Sequence, residues 1–283
     1  MDLEVLRRKE QHLESLLIDM NSVIVAYSGG VDSSVLAYYA RKCLSSNAKI
    51  VIAVSPSLAV DELNFARRQA SLFNWRLIEI ETAEVKNPEY LKNDQMRCYF
   101  CKSTLFEELE VLADELGVDY LAYGANVDDM MDFRPGHKAA REHSVSSPLQ
   151  QAGLTKEEIR VLAKKANLPS WDRPQMACLS SRVPTFETIT PAKLRLVDRA
   201  ESFIRSLGFN QVRVRHKDGL AVIEVGLTEV SQLVSDAALV SSIRTHLKSV
   251  GFSDVKIDEN GYRQGNANLL SGGLVSDGLV WTK

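Results

Sequence analysis

No apolar stretch of this 283-residue chain comes near the length of a membrane span. The longest runs, such as Val23–Tyr27, are a handful of residues, far below the roughly 20 that a bilayer core demands. Cysteine is scarce: Cys43, Cys98, Cys101 and Cys178 are the whole supply. That argues against a disulfide framework, and two closely spaced cysteines suit metal or redox chemistry better. A positive charge excess is also missing. Lys and Arg number 34 against 37 Asp and Glu, a formal net charge of −3, so no global field exists for gripping nucleic acid. There is no internal repeat and no low-complexity block. Glu4, Arg7, Arg8, Lys9, Glu10 and Asp19 make the first twenty residues a charged amphipathic helix rather than a basic-then-apolar leader. A cytoplasmic protein is expected, with no membrane and no nucleic-acid partner.

What is present is ordinary globular composition, 45% hydrophobic and 25% charged, over a length that suits two domains. Residues 2–20 carry a helical stripe. Val23–Tyr27 and Ile50–Val54 are unbroken apolar runs, the signature of strands buried on both faces. Helical patterns over Ser33–Leu44, Asp61–Phe73 and Ser103–Leu116 alternate with strand patterns over Arg76–Glu81 and Tyr120–Tyr123. This alternation predicts a parallel α/β sheet with right-handed crossovers. Thr155 with Glu158 forms a capping box that opens a helix to about Ala166. After about Pro184 the pattern changes. A helix (Pro191–Leu207), two short strands (Gln211–His216, Leu220–Val225) joined by Lys217-Asp218-Gly219, a long helix (Val230–Val250) and a strand (Val255–Ile257) read as a small α+β domain. The expected organisation is a doubly wound parallel α/β domain over 1–184, a smaller α+β domain for substrate binding or oligomerisation over 185–265, and a flexible tail over 266–283.

Tyr27-Ser28-Gly29-Gly30-Val31-Asp32-Ser33-Ser34 lies between a buried strand and a helix. Its glycines let backbone approach a ligand, and the following helix N-terminus offers N–H groups and a positive dipole end that favour phosphate. Ser28, Ser33 and Ser34 add hydroxyls, and Asp32 can hold Mg²⁺ or order the loop. No Gly-Lys pair follows, so this is not a Walker loop. A plain glycine turn with a Ser or Asp cap is the alternative, and the full string weighs against it. A second loop, Gly124 to Gly136, places Asp128, Asp129, Asp132 and Arg134 at the C-terminal end of a strand, where doubly wound sheets bind ligands. Arg213 and Arg215 are two apart on one strand and share a face, which suits a phosphate or carboxylate; surface pairing with acids is the plain alternative.

SGGVDSS resembles the SGGxDS loop of the ATP pyrophosphatases, the PP-loop enzymes with an adenine nucleotide alpha hydrolase-like fold. Three further features narrow the resemblance: the loop from Gly124 through Asp129 to Gly136, the segment Ala177-Cys178-Leu179-Ser180-Ser181-Arg182, and the set Glu201, Arg213, Arg215 and Glu224. With these the chain is similar, over about residues 20–265, to the ATP-dependent sulfur transferases that build the nickel-pincer nucleotide cofactor of lactate racemase. The resemblance implies a pyridinium-3,5-dicarboxylic acid mononucleotide substrate whose carboxylate is adenylated by ATP with Mg²⁺, then converted to a thiocarboxylate. It implies ATP contacts at Ser28, Gly29, Gly30, Asp32, Ser33, Ser34, Ser55, Gly124, Asp129 and Arg134. Substrate contacts fall at Ser181, Arg182, Arg213, Arg215 and Glu224, with the phosphate near Arg213 and Arg215. Glu201 and Cys178 take catalytic roles, Glu201 and Glu224 at one inter-domain site. Gln232 stands where members often carry an acid, which weakens a metal role there. A homo-oligomer, a hexamer by resemblance, is expected.

Cys98-Tyr99-Phe100-Cys101 is a CxxC placed just before a helix, while Cys43 reads as core. Cys98, Cys101 and Cys178 could hold three irons of a 4Fe-4S cluster and leave one iron open to carry sulfur. Part of the family instead sacrifices the sulfur of the cysteine at the Cys178 position; those members lack the CxxC, so the cluster type is expected here. Zinc and a thiol–disulfide pair are competing readings. Two other functions stay open: a PP-loop tRNA thiolase, disfavoured by the net charge and the lack of a zinc ribbon, and a non-enzymatic nucleotide- or cluster-binding protein.

Overall fold

Strand β1 (Val23–Ala26) is apolar throughout because both of its faces are covered. Val23 and Val25 join one core cluster and Ile24 the other. The computed structural model describes residues 2–131, 135–174 and 177–263. Helix α1 (Leu3–Asp19), capped by Asp2, precedes β1. After it come α2 (Val31–Leu44), β2 (Ala48–Val54), α3 (Val60–Leu72), β3 (Leu77–Glu81), the short α4 (Pro88–Leu91), α5 (Arg97–Leu116) and β4 (Tyr120–Tyr123). Helices α6 (Pro135–Glu142), α7 (Pro148–Gln151) and α8 (Lys156–Lys165) complete this part. The four strands are parallel in the order β3-β2-β1-β4. The chain therefore steps one way from β1 to β3 and then returns to the other side of β1 with β4. That reversal is the topological switch point of a doubly wound sheet, and ligands bind outside its strand ends.

Among the described residues, 179–263 together with Lys92–Asp94 form a second unit, and the others up to Cys178 form the first. The second unit holds α9 (Pro191–Ser206), β5 (Val212–Lys217), β6 (Leu220–Val225), α10 (Val230–Ser235), α11 (Ala237–Val250) and β7 (Asp254–Ile257). Its sheet is mixed: β5 and β6 are antiparallel, β6 and β7 parallel. Asp218 and Gly219 turn the hairpin with positive φ at both positions (47° and 84°), the conformation that two-residue hairpin loops demand. Among the described residues no helix is long and apolar enough to cross a membrane.

Two sequence expectations change. The CxxC does not precede its helix but lies in the first turns of α5, which begins at Arg97. Nothing between Met96 and Ser103 breaks a helix, and Tyr99 packs against the core on this side of the sheet. The expected helix over Val230–Val250 is two helices, because Asp236 accepts from the Leu239 amide and caps α11. A capping aspartate inside an apolar period outcompetes a continuous helix. Helices α6 and α7, each opening on a proline, carried too short a period to be read. The tail over 266–283 lies outside the described residues.

Candidate functional site

The SGGVDSS loop leaves β1 at the switch point and enters α2. Gly29 has φ +77°, a conformation that side chains rarely adopt. Ser33 knits the loop: its hydroxyl receives the Ser28 amide at 3.1 Å and lies 3.0 Å from the Ser28 hydroxyl. Ser34 donates to the Gly30 carbonyl at 2.7 Å. Gly30 itself is the cap of α2 and brings no side-chain acceptor, the arrangement in which an anion takes the capping place. Gly124, at the end of β4, is the tightest point. A Cβ there would stand 2.7 Å from the Ser33 backbone nitrogen, so only glycine lets the two loops touch.

Asp32 does not point into open solvent. One oxygen accepts from the side-chain amide nitrogen of Asn126 (Nδ2) at 3.0 Å and the other from the Lys156 ammonium. Asn126 is held in turn by the Asp128 and Asp129 amides, and its own amide donates to Asp129 at 3.1 Å. The residues expected from the β4 loop and from the β1 loop thus meet. Arg134 and Asp132 lie outside the described residues. Ser55, at the end of β2, belongs to a different network: with Ser57 and Thr82 it donates to the buried Glu84.

Cys98 and Cys101, three apart on α5, share one side of the helix. Cys98 and Cys178 are exposed, and Cys101 is half-buried. Burial, followed by the charges of Cys178 and Glu84, pushes the Cys101 thiol up to about 12. Burial works against the Arg97 charge, yet Cys178 and Cys98 outweigh it and hold its pKa above the ordinary value. Lys102 is displaced the other way by burial, with all three of these cysteines opposing. The three cysteines therefore share one electrostatic neighbourhood with two cations. Among the described residues no three His, Cys, Asp or Glu side chains are gathered as a metal-holding group. Cys43 packs half-buried at the margin of the core.

In the second unit the arginines are buried, not surface-paired. Arg182 reaches both oxygens of Glu201, at 2.8 and 3.1 Å, and the Ser181 hydroxyl at 2.9 Å. Arg205 and the Val214 amide also donate to Glu201. Arg215 forms a fork on Glu224 and donates to the Ser181 carbonyl. Arg213, paired in register with Glu224, stands over the Tyr262 ring. Burial, then the neighbouring Arg182, lower the Arg213 pKa against the opposing pull of Glu201 and Tyr262. Glu201 is desolvated, but its arginine partners outweigh this and hold its carboxyl below the usual range. Forked carboxylates hold the Arg182 and Arg215 guanidinium groups in fixed positions. Sequence reading missed Lys156, Glu84, Arg97, Lys102 and Arg205: Lys156 and Glu84 lie far along the chain from their partners, whereas Arg97 and Lys102 flank the CxxC and Arg205 stands one helical turn after Glu201, signals that adjacency and the i,i+4 spacing did offer.

No family model matches the chain. It is 42% identical over 266 residues to an uncharacterized protein of Synechocystis sp., covering 94% of this chain and 99% of that protein. It is 30% identical over 268 residues to the pyridinium-3,5-bisthiocarboxylic acid mononucleotide synthase of Lactiplantibacillus plantarum, covering 94% of this chain and 96% of the synthase. A weaker likeness, 27% over 208 residues, covers 64% of this chain and 39% of the glutamine-hydrolyzing GMP synthase of Aeropyrum pernix.

Gly124→Ala is expected to destabilise the protein by about 1–3 kcal/mol, since backbone rather than a flexible side chain must move. Thermal unfolding measures this, and an unchanged midpoint would contradict the close approach. Glu201→Gln removes a buried charge from its arginines and is expected to cost about 3–5 kcal/mol at neutral pH. Because the folded Glu201 pKa is depressed, its contribution is complete above the unfolded carboxylate value and disappears as pH falls through the folded value. Urea unfolding across pH should show the wild-type advantage shrinking toward acid; a constant gap would contradict it.

Proposed function

The chain belongs to the family of the pyridinium-3,5-bisthiocarboxylic acid mononucleotide synthase, and from that premise we propose an ATP-dependent sulfur transferase that converts a carboxylate of a pyridinium dicarboxylic acid mononucleotide into a thiocarboxylate. The observation that carries this reading is a single unit holding both a glycine-rich loop at the switch point and three cysteines in one electrostatic neighbourhood. The chemistry needs both. A carboxylate oxygen is a poor leaving group. When it attacks the α-phosphorus of ATP, a phosphorus–oxygen bond forms, the bond to the bridging oxygen breaks, and pyrophosphate leaves with the electron pair. A sulfur nucleophile then adds at the carbonyl carbon, and AMP departs with the former carboxylate oxygen.

The loop amides and the hydroxyls of Ser28, Ser33 and Ser34 bind the phosphates, and magnesium arrives with ATP as part of that substrate. The anionic substrate binds through the arginines of the second unit, Arg182, Arg213 and Arg215, which Glu201 and Glu224 hold in place. In this reading the ligands of a 4Fe-4S cluster would be Cys98, Cys101 and Cys178, which share an electrostatic neighbourhood with Arg97 and Lys102 although among the described residues they are not gathered as a metal-holding group, and the bound cluster would supply hydrosulfide from its open iron. A second sulfur route has its own support. Cys178 is exposed and shares the field of Arg97, so its sulfur could displace AMP from the adenylate to form a thioester; transfer of the Cys178 α-proton to a base would then break the Cβ–S bond, releasing the thiocarboxylate and leaving dehydroalanine.

Arg213→Ala is expected to weaken binding of the pyridinium mononucleotide about tenfold or more while ATP affinity stays unchanged. Separate titrations with each ligand decide it, and an equal loss for both would contradict the assignment. The sulfur source is decided by intact mass after anaerobic reaction. Sulfide-dependent multiple turnover at unchanged mass is expected, abolished by Cys98→Ala, Cys101→Ala or Cys178→Ala but not by Cys43→Ala. A single turnover, with iron-free protein lighter by one hydrogen sulfide at Cys178, would replace the cluster route with the sacrificial one.

A further inference from the structure

We propose that Gln69 is a positioning residue of the SGGVDSS loop: through Ser34 it holds the Gly30 carbonyl inward and so keeps the following amide turned toward the nucleotide phosphates. The inference rests on the reading of that loop as a nucleotide site. Two adjacent glycines leave the loop backbone free to rotate. In a trans peptide the carbonyl and the next N–H point opposite ways. With the Gly30 carbonyl facing inward, the Val31 N–H faces out, among the opening amides that α2 cannot satisfy itself. Were that peptide to turn over, a carbonyl oxygen would meet the phosphates and repel them. Binding an anion at this loop therefore depends on what grips Gly30.

Three donors grip it. The Ser34 amide reaches the Gly30 carbonyl at 2.9 Å, the Ser34 hydroxyl at 2.7 Å and the Ser33 hydroxyl at 3.1 Å. Ser34 has one hydroxyl proton, and Gln69 decides where it goes. From α3, the Gln69 Nε2 donates to the Ser34 hydroxyl at 2.7 Å and to the Tyr27 phenol at 2.8 Å. Tyr27 also bonds to Ser34, and burial pushes its phenol up to about 12, so it stays a donor. With both neighbours donating, the Ser34 proton is left with the Gly30 carbonyl as its acceptor. The hydroxyl of Ser34 thus acts on the phosphates through this peptide. Gln69 is 1% exposed, on the face of α3 that backs the loop. One turn earlier, the Ala66 Cβ stands 3.4 Å from where a Cβ on Gly29 would lie. Among the described residues the Gln69 Oε1 is buried without a hydrogen-bond partner. An unpaired buried amide oxygen is costly, and an apolar side chain would fill this place without that cost. The amide therefore serves the loop rather than the core. Turned over, it would offer Oε1 to Ser34 and Tyr27. Both hydroxyls would then donate to it, and the Gly30 carbonyl would lose its shortest contact.

The test is calorimetric titration of the full chain with magnesium pyrophosphate and, separately, with the pyridinium mononucleotide, which probes the second unit. Gln69→Met keeps the length of the side chain but donates nothing. It is expected to weaken pyrophosphate about three- to tenfold and to leave the mononucleotide unchanged. Gln69→Glu offers acceptors where Ser34 needs a donor; it should weaken pyrophosphate at least as much and serves if the methionine variant does not fold. Because Gln69 acts through Ser34, adding Gln69→Met to Ser34→Ala should weaken pyrophosphate by less than about twofold further. Equal weakening of both ligands would mean that Gln69 only supports the fold, and no weakening that it is a bystander. Full additivity with Ser34→Ala would mean that it acts by another route. Each of these overturns the proposal. Failure of the unaltered protein to bind pyrophosphate would instead overturn the nucleotide reading on which it rests.

Discussion

The first unit is organised by one steric constraint, the passage of Gly124 against the Ser33 backbone. Strand β4 returns beside β1 after the chain has built β2 and β3, and its exit loop must cross the start of α2. A side chain at Gly124 would push the two apart. With glycine there, Asn126 reaches Asp32, the Asp128 and Asp129 amides fix Asn126, and Asp128 draws in the first residue of α8. A loop at the end of one strand, a loop at the end of its neighbour and a helix far along the chain become one polar framework. Each member is held by backbone as well as by side chain, so the framework is fixed before any ligand arrives.

The second unit solves a different problem. Its charges lie inside, on a strand with every residue from Val212 to His216 buried. Removing arginines from water is costly, and ion pairs repay that cost only when geometry and hydrogen bonds are good. Glu201 and Glu224 meet this condition with forked contacts, and Ser181 adds both its hydroxyl and its carbonyl. Such an arrangement is a poor device for stability and a good one for holding guanidinium groups rigidly.

Much of this was legible in the sequence, for reasons specific to certain residues. Unbroken apolar runs at Val23–Tyr27 and Ile50–Val54 suit strands covered on both faces, and the two core clusters on either side of β1 agree. The glycine pair at 29 and 30 and the capping box at Thr155 are local signals with local causes. What stayed hidden was non-local. Lys156 carries no mark that ties it to Asp32, and Glu84 none that ties it to Ser55, because such pairings arise only when parallel strands bring distant loops together. Asp236 was hidden for the opposite reason: the apolar period of Val230–Val250 overwhelmed a single capping side chain. The burial of Arg213 and Arg215 was hidden because an alternating strand shows which residues share a face but not what covers it.

The central claim is that a substrate carboxylate is activated by direct attack on the α-phosphorus of ATP. Its most direct test is to supply the mononucleotide with a heavy-oxygen label in its carboxylates and to follow the label during a sulfur-transfer turnover. The account requires AMP and pyrophosphate in equal amounts, with one labelled oxygen carried into the phosphate of AMP. Unlabelled AMP, or ADP with inorganic phosphate, would contradict it.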